Sequence, residues 1–183
     1  MKKLILITGT GRSGTSLLSG YLKKNYSSLG IDEIEPDNSN PYGYYEDASL
    51  IKLNEEIFKK LNVLKYFPFK KDYCKIENYN YARRLIREYI SNLNFVDENI
   101  IILKDPRISN IIDIWLSVLN KSKINFKIII CYRNLNDFCA SYNKSVSNEN
   151  EVAEKIWISR NLQIFYNLCN QNIDFEIFNY DIY

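Results

Sequence analysis

The chain has 183 residues, of which 46% are hydrophobic and 25% are charged, as in an ordinary soluble domain. The formal net charge of +2 argues against a general nucleic-acid binder, whose basic surface usually shows in the total. The chain has no histidine, which excludes imidazole as general base or metal ligand, and its four cysteines show no CxxC spacing. We therefore predict one domain, residues 1–183, that is cytoplasmic, needs no metal and has no transmembrane segment. The oligomeric state stays open.

Short apolar runs alternate with amphipathic segments along the chain. The predicted strands are Lys3–Thr8, Gly30–Ile34, Ile100–Leu103, Phe126–Tyr132 and Ile173–Phe178. The predicted helices are Thr15–Asn25, a segment after a capping Asp47, Tyr79–Asn94, Ile108–Leu119, Leu135–Val146 and Glu149–Cys169. In the first helix, Leu17, Leu18, Tyr21 and Leu22 are expected on one side. The alternation predicts an α/β fold of three layers, with a central parallel sheet and helices on both faces.

Polar segments follow three of the predicted strands. They are Gly9–Ser16, Lys104–Arg107 and Tyr132–Asn134. Ligands of open parallel sheets bind beyond the carboxyl ends of the strands. The three segments are therefore expected to converge in space although they are far apart in the sequence.

The loop Gly9–Ser16 joins a strand to a helix, a context that favours an anion held by backbone N–H groups. The loop differs from the GxxxxGK[ST] pattern of nucleoside-triphosphate loops at Thr15, where that pattern has a phosphate-binding lysine. The loop also matches the GxGxxG pattern of a dinucleotide-binding fold, in which Asp32 or Glu33 would bind the ribose. The sequence before these two residues, however, has only a weak strand pattern. A third interpretation is a phosphosulfate site, in which Arg12 supplies a fork of donors.

In that third interpretation the loop's hydroxyls add further donors. The segment Ile7–Leu18, with its RSGTS core, resembles the 5′-phosphosulfate loop of sulfotransferases that use 3′-phosphoadenosine 5′-phosphosulfate (PAPS). The resemblance is closest to the bacterial and tyrosylprotein-type branch. It implies a P-loop-like fold and a PAPS site whose product is 3′,5′-ADP. The implied contacts are Gly11, Arg12, Ser13, Gly14, Thr15 and Ser16.

Arg133 follows the most apolar strand, and Ser141 comes eight residues later on the next helix. An arginine at a strand end and a hydroxyl on the following helix can grip one phosphate together. The family has an arginine and a serine in this order and spacing, and there they bind the 3′-phosphate of PAPS. The resemblance therefore assigns Arg133 and Ser141 to that phosphate, with Ser145 as a weaker candidate.

Sulfuryl transfer needs a base for the acceptor's proton and a cation for the charge on the leaving oxygen. Lys104 lies in a Lys-Asp-Pro segment that resembles one in the tyrosylprotein-type branch, where the lysine assists transfer at the bridging oxygen. Arg12 is expected to share this task. For the base we predict Glu46, within a segment resembling a PxGYxE stretch of bacterial members, with Glu33 and Glu35 as alternatives.

Two residues that follow Lys104, Asp105 and Arg107, carry weaker assignments. Asp105 is expected to cap the helix after Pro106. For Arg107 two roles stay open: it has a structural role, or it contacts the acceptor.

The predicted function is transfer of a sulfuryl group from PAPS to a hydroxyl or amine of a glycan, lipid or small molecule. Residues 62–78 are expected to help select this acceptor, and no nucleic-acid partner is expected. The last residues, Phe178–Tyr183, resemble a strand end after which complete family members have a further helix and loop. We therefore expect this chain to be either a minimal member of the family or a truncated one. Two alternatives remain: a non-catalytic nucleotide-binding module of the same fold, and an NAD(P)-dependent oxidoreductase.

Overall fold

The computed structural model describes residues 3–36, 43–63, 74–95, 100–145 and 150–182. In this part of the chain, parallel strands form a five-stranded sheet in the order β2-β3-β1-β4-β5. The strands are β1 (Lys3–Gly9), β2 (Ser27–Leu29), β3 (Ile100–Lys104), β4 (Asn125–Tyr132) and β5 (Phe175–Asn179). The helices are α1 (Thr15–Tyr26), α2 (Ala48–Leu61), α3 (Ile76–Asn92), α4 (Ile112–Leu119), α5 (Leu135–Ser145) and α6 (Asn150–Asn170). Short 3₁₀ turns occupy Pro106–Asn110 and Tyr180–Ile182.

The first strand lies at the centre of the sheet. It pairs with β3 on one side, where Ile7 is opposite Lys104, and with β4 on the other, where Gly9 is opposite Cys131. Its near-continuous apolar sequence suits a strand that is covered on both faces. Because β3, β1 and β4 are neighbours and run in the same direction, their carboxyl ends meet at one edge. The predicted convergence of the three polar segments is confirmed.

Separate apolar clusters cover the two faces of the sheet. Successive side chains of a strand point to opposite faces, and Leu6 belongs to the larger cluster with α2, α3 and α4, whereas Ile7 belongs to a smaller one. The smaller cluster also contains Leu18 of α1. These layers confirm the predicted α/β fold with helices on both faces. Within the described ranges, no helix combines the length and apolar character needed to cross a bilayer.

The second strand is earlier than the sequence predicts. It covers Ser27–Leu29 instead of Gly30–Ile34. Gly30 has φ +42°, which ends the extended backbone, and the N–H groups of Ile31 and Asp32 donate to the Asp47 carboxylate instead of to a neighbouring strand. The predicted strand was therefore wrong because a distant side chain satisfies these backbone groups.

The prediction that four apolar residues share one side of α1 is also only partly right. Leu18 is buried, but Leu17 and Tyr21 are 53% and 61% exposed. The helix packs on the small apolar cluster through Leu18 and Leu22, which are four positions apart on one face. Leu17 and Tyr21 instead line a cavity beside Tyr45.

Asp47 caps α2 as predicted and also holds the chain segment before it. Its carboxylate accepts from the N–H groups of Ser49 at 2.7 Å and Ile31 at 2.5 Å, and from the Tyr89 hydroxyl at 2.6 Å. Burial, together with the Asp47 carboxylate, raises the pKa of Tyr89, so this hydroxyl stays protonated and donates. Asp47 thereby fixes the backbone immediately after Glu46.

Replacing Gly30 by alanine is expected to lower the free energy of unfolding by about 2–4 kcal/mol. A Cβ on Gly30 would stand 1.9 Å from Oδ2 of Asp47, and the hydrogen bonds of that carboxylate leave it no room to move. The measurement is urea denaturation of both proteins. The control is Gly11→Ala, where the nearest atoms are 4.0 Å away and a change below about 1 kcal/mol is expected. Equal effects of the two substitutions would contradict the role given to Asp47.

Candidate active site

The loop between β1 and α1 has a defined backbone. Gly14 has φ +84°, and its carbonyl oxygen accepts from the N–H of Leu18 at 3.1 Å, the first hydrogen bond of α1. A Cβ on Gly14 would lie 2.4 Å from the Tyr180 ring, so only glycine fits here. The hydroxyls of Thr10 and Ser13 are 2.6 Å apart and buried, which holds the loop internally.

A cavity of about 260 Å³ opens over this loop. We call it the loop cavity, and its polar lining comes from Arg12, Thr15, Ser16, Arg133, Ser141 and Tyr180. Arg12 Nε donates to Ser141 Oγ at 3.2 Å, and Arg133 Nη1 donates to the Arg12 carbonyl at 3.3 Å. The fold thus brings both predicted phosphate-binding segments to one cavity. None of its described lining residues is acidic, so two guanidinium groups give it a positive potential.

Tyr180 is a site residue that the sequence analysis missed. Its ring lies against Gly14, and the Arg133 guanidinium carbon is 4.6 Å from the ring centroid, which is cation–π contact. The carbonyl of Arg133 accepts from Trp157 Nε1 at 2.8 Å. Tyr180 directly follows β5, the neighbour of β4. Its place at a strand's carboxyl end is the signal that points to it.

Other predicted contacts of the loop are placed differently. The Ser13 hydroxyl bonds Thr10 within the loop, and neither Ser13 nor Gly11 lines the loop cavity. Any contact of these two residues with a ligand would therefore come from their backbone. Thr15, at the position of the missing lysine, does line the cavity. The side chain of Ser145 lies outside the described part of the structure.

Lys104 ends β3 and is 3% exposed. Its ammonium donates to Ser16 Oγ at 3.2 Å, to the Tyr44 carbonyl at 3.1 Å and to the Glu46 carboxylate. Three acceptors therefore match the three N–H donors of the ammonium, and these hydrogen bonds hold it in place. Through these contacts Lys104 joins the glycine loop to the segment that carries Glu46.

The carboxylates proposed as base differ in their surroundings. Glu46 is 16% exposed and forms an ion pair with Lys104. Glu33 instead pairs with Lys23 at 2.5 Å, and Glu35 is exposed. Of these three, the structure places Glu46 beside the buried lysine. The residues Asn40, Pro41 and Tyr42 of its motif, and residues 64–73 of the predicted acceptor-selecting segment, lie outside the described residues.

The Lys-Asp-Pro segment continues in a 3₁₀ turn capped by Asp105, as predicted. The Asp105 carboxylate accepts from the Arg107 N–H at 2.8 Å and from Asn54 Nδ2 at 2.8 Å. Burial raises the pKa of Asp105, and the Arg107 guanidinium acts in the opposite direction. Arg107 also reaches Glu55 at 3.2 Å. The cap holds Lys104, the residue before it, at the edge of the sheet.

The cysteine nearest this edge is not set up for nucleophilic chemistry. Cys131 is fully buried in β4, and burial raises the pKa of its thiol to about 12, although Lys104 acts to lower it. The thiolate, which is the reactive form, is therefore negligible near neutral pH. The charged side chains at this edge include Arg12, Lys104, Arg133, Asp105 and Glu46.

A second cavity, of about 490 Å³, lies on the other side of Lys104. We call it the Glu46 cavity, and its lining includes Tyr44, Glu46, Phe58, Pro106, Arg107 and Arg160. Lys104 contacts Ser16 of the loop cavity and Glu46 of this one. A buried lysine thus contacts one residue of the loop cavity and one of a second cavity that is lined by aromatic residues, two carboxylates and two arginines. This arrangement suits transfer of an anionic group between ligands bound on its two sides.

Comparison with known proteins supports the fold assignment. The structure is similar to the sulfotransferase domain of the Synechococcus PCC 7002 olefin synthase, with a TM-score of 0.56 and 16% identity, over 98% of this chain. This chain spans 66% of the length of that domain. It is also similar to deoxyadenosine kinase from M. mycoides with bound dATP, with a TM-score of 0.50, 16% identity, and coverage of 97% of this chain and 91% of the kinase. No family model and no curated protein sequence matches the chain. The likeness shows a P-loop-like α/β fold.

Proposed function

We propose that this chain is a sulfotransferase that binds PAPS in the loop cavity and an acceptor in the Glu46 cavity. The observation that carries the proposal is the contact of Lys104 with both Ser16 and Glu46. It puts a buried cation beside the loop that would hold the phosphosulfate, and beside a carboxylate able to take the acceptor's proton. The likeness to a solved sulfotransferase domain supports the same conclusion at the level of the fold.

The residues of the loop cavity fit the donor's two anionic ends. Arg12, Ser16 and the backbone after Gly14 lie at the N-terminus of α1, where a 5′-phosphosulfate is stabilised. Arg133 and Ser141 line the same cavity and supply donors for a 3′-phosphate. When bound, PAPS supplies the sulfuryl group and leaves as 3′,5′-ADP.

The chemistry expected of the protein's own groups is acid–base and electrostatic. Glu46 accepts the proton of the acceptor hydroxyl or amine as the new bond to sulfur forms. Lys104 and Arg12 stabilise the negative charge that develops on the bridging oxygen as its bond to sulfur breaks. Both cations are positioned before the reaction, Lys104 by its three hydrogen bonds and Arg12 by Ser141.

The second structural neighbour raises kinase chemistry as a competing function. In this chain Thr15 occupies the position at which a P-loop carries its phosphate-binding lysine. Lys104 enters from β3 instead and contacts Ser16 next to that position. A cation supplied from another strand, together with the Arg133 and Ser141 pair, favours a ligand with a separate 3′-phosphate over a nucleoside triphosphate.

The proposal is tested by thermal unfolding of the chain with 3′,5′-ADP, with Mg-ATP and with NAD. At a hundredfold excess over the dissociation constant, 3′,5′-ADP is expected to raise the Tm by about 5–10 °C. Stabilisation by Mg-ATP or NAD without any by 3′,5′-ADP would overturn the proposal. Transfer of radiolabel from labelled PAPS to a pool of acceptors then separates the enzyme from the non-catalytic binding module.

A further inference from the structure

Two of the acceptors that hold the Lys104 ammonium come from one short segment of the chain. They are the carbonyl oxygen of Tyr44, at 3.1 Å, and the carboxylate of Glu46. The residue between them, Tyr45, has φ +52°, a left-handed conformation that is uncommon for residues other than glycine. The chain therefore turns at Tyr45, and the residues on either side of this turn both contact the same ammonium.

A tyrosine keeps a left-handed backbone only where the surrounding structure holds it there. The side chain of Tyr45 is partly buried against the smaller apolar cluster. Its ring also lies on α1 at Gly20, where an added Cβ would be 2.8 Å from two of the ring atoms. Because Gly20 has no side chain, the ring can approach the helix, and this packing offsets the cost of the turn.

The same face of α1 also contacts Lys104 directly. Ser16 and Gly20 are four positions apart in α1 and therefore lie one above the other on the helix surface. The Ser16 hydroxyl accepts from the Lys104 ammonium at 3.2 Å. One helix face thus supports the Lys104–Glu46 pair in two ways: through Ser16, and through the Tyr45 ring that packs on Gly20.

We propose that Gly20 and Tyr45 are positioning residues for sulfuryl transfer, because the Tyr45 ring on Gly20 holds the left-handed turn that directs the Glu46 carboxylate toward Lys104 and the acceptor. The inference rests on the proposed function, since it takes Glu46 as the base. Both residues act through Glu46. A methyl group at position 20 would displace the ring and release the turn, so the carboxylate would no longer lie where it accepts the acceptor's proton.

The test measures two quantities for each variant. One is the rate of label transfer from saturating labelled PAPS to a mixture of 4-nitrophenol, tyramine and N-acetylglucosamine, and the other is the dissociation constant of 3′,5′-ADP. Gly20→Ala is expected to lower the rate by about tenfold or more, because a small displacement of a catalytic group is costly. The dissociation constant should change by less than about threefold, since Lys104 keeps its charge and its contact with Ser16.

The controls separate positioning from a loss of structure. Alanine is a better helix former than glycine, so Gly20→Ala does not weaken α1 itself. Lys24→Ala changes an exposed residue one turn further along the same helix face and should keep the wild-type rate. Tyr45→Phe keeps the ring and should also stay near the wild-type rate, whereas Tyr45→Ala should show the loss expected of Gly20→Ala. If Gly20→Ala does not fold, the two Tyr45 variants decide.

A double substitution tests whether the effect passes through Glu46. In a Glu46→Gln background, Gly20→Ala should change the residual rate by less than about twofold, because the carboxylate that it displaces is already absent. A full tenfold loss in that background overturns the inference, and so does a wild-type rate in both Gly20→Ala and Tyr45→Ala. A loss of 3′,5′-ADP affinity as large as the loss of rate overturns it too. Transfer by wild type to none of the three acceptors would instead count against the proposed function, and the inference would fall with it.

Discussion

Replacing Lys104 by methionine is expected to lower sulfuryl transfer by about 10²–10³-fold, or ~3–4 kcal/mol of transition-state stabilisation. The ammonium is 3% exposed and is held by Ser16, the Tyr44 carbonyl and Glu46. A buried, fixed cation stabilises developing charge far more than one in water does. Methionine keeps much of the volume of lysine and removes the charge.

The loss must come from chemistry and not from unfolding, since the substitution leaves Glu46 without its cation. A cooperative urea transition of the ligand-free variant reports that it is folded. The thermal shift given by 3′,5′-ADP is expected to fall together with transfer, because the oxygen that Lys104 stabilises remains on the 5′-phosphate of this product. The matched control is Lys127→Met, which removes the lysine of an exposed pair with Glu176 and should leave transfer within about twofold. Transfer by Lys104→Met within a factor of three of wild type would remove the role given to this lysine.

Replacing Arg133 by methionine is expected to weaken binding of 3′,5′-ADP by about 10–100-fold, the size of a lost hydrogen bond to a charged group. Binding of 5′-AMP, which lacks the 3′-phosphate, should change by less than about threefold. The reason is that Arg133 and Ser141 both line the loop cavity and are the pair assigned to the 3′-phosphate. Calorimetric titration of wild type and variant with both nucleotides measures the two effects together.

A second variant guards against indirect effects, because Arg133 also touches Tyr180 and the Arg12 carbonyl. Ser141→Ala leaves those contacts in place and removes the hydrogen bond from Arg12 Nε. It should weaken 3′,5′-ADP by about 3–10-fold and 5′-AMP by less. Arg87→Met, on the surface of α3, is the charge-matched control and should alter neither affinity. An unchanged ratio of the two affinities in both variants would refute the assignment of the 3′-phosphate.

Most secondary-structure elements were predictable because local patterns specify them. The alternation of apolar runs with amphipathic segments predicted the parallel sheet, and Asp47 and Asp105 were recognisable as caps from their positions before helical segments. The strand at Gly30–Ile34 was misplaced because the Asp47 carboxylate, far away in the sequence, takes the backbone donors that a strand would use. The strand preference of a short segment does not reveal a hydrogen-bond acceptor that comes from a distant part of the chain.

The candidate site likewise contains residues that the sequence indicates and residues that only the packing reveals. Arg12, Lys104 and Arg133 follow directly from the rule that ligands bind beyond the carboxyl ends of parallel strands. Arg160 lies within a long helix of mixed polar and apolar residues, and no motif in the sequence singles it out. Residues 159, 160, 161 and 163 are all buried and polar. That Arg160 lines the Glu46 cavity depends on how α6 packs, which a single sequence does not show.

By itself, the sequence determined the glycine loop, the absent P-loop lysine at Thr15 and the order of strands and helices. These depend on residue type and on spacing within a few residues. Only the tertiary structure decided that Glu46 meets Lys104, that Tyr180 lies against Gly14 and Arg133, and that Arg160 lines the Glu46 cavity. Each of these contacts joins segments separated by tens of residues or more. Their geometry is set by the packing of helices on the sheet, and no local pattern encodes it.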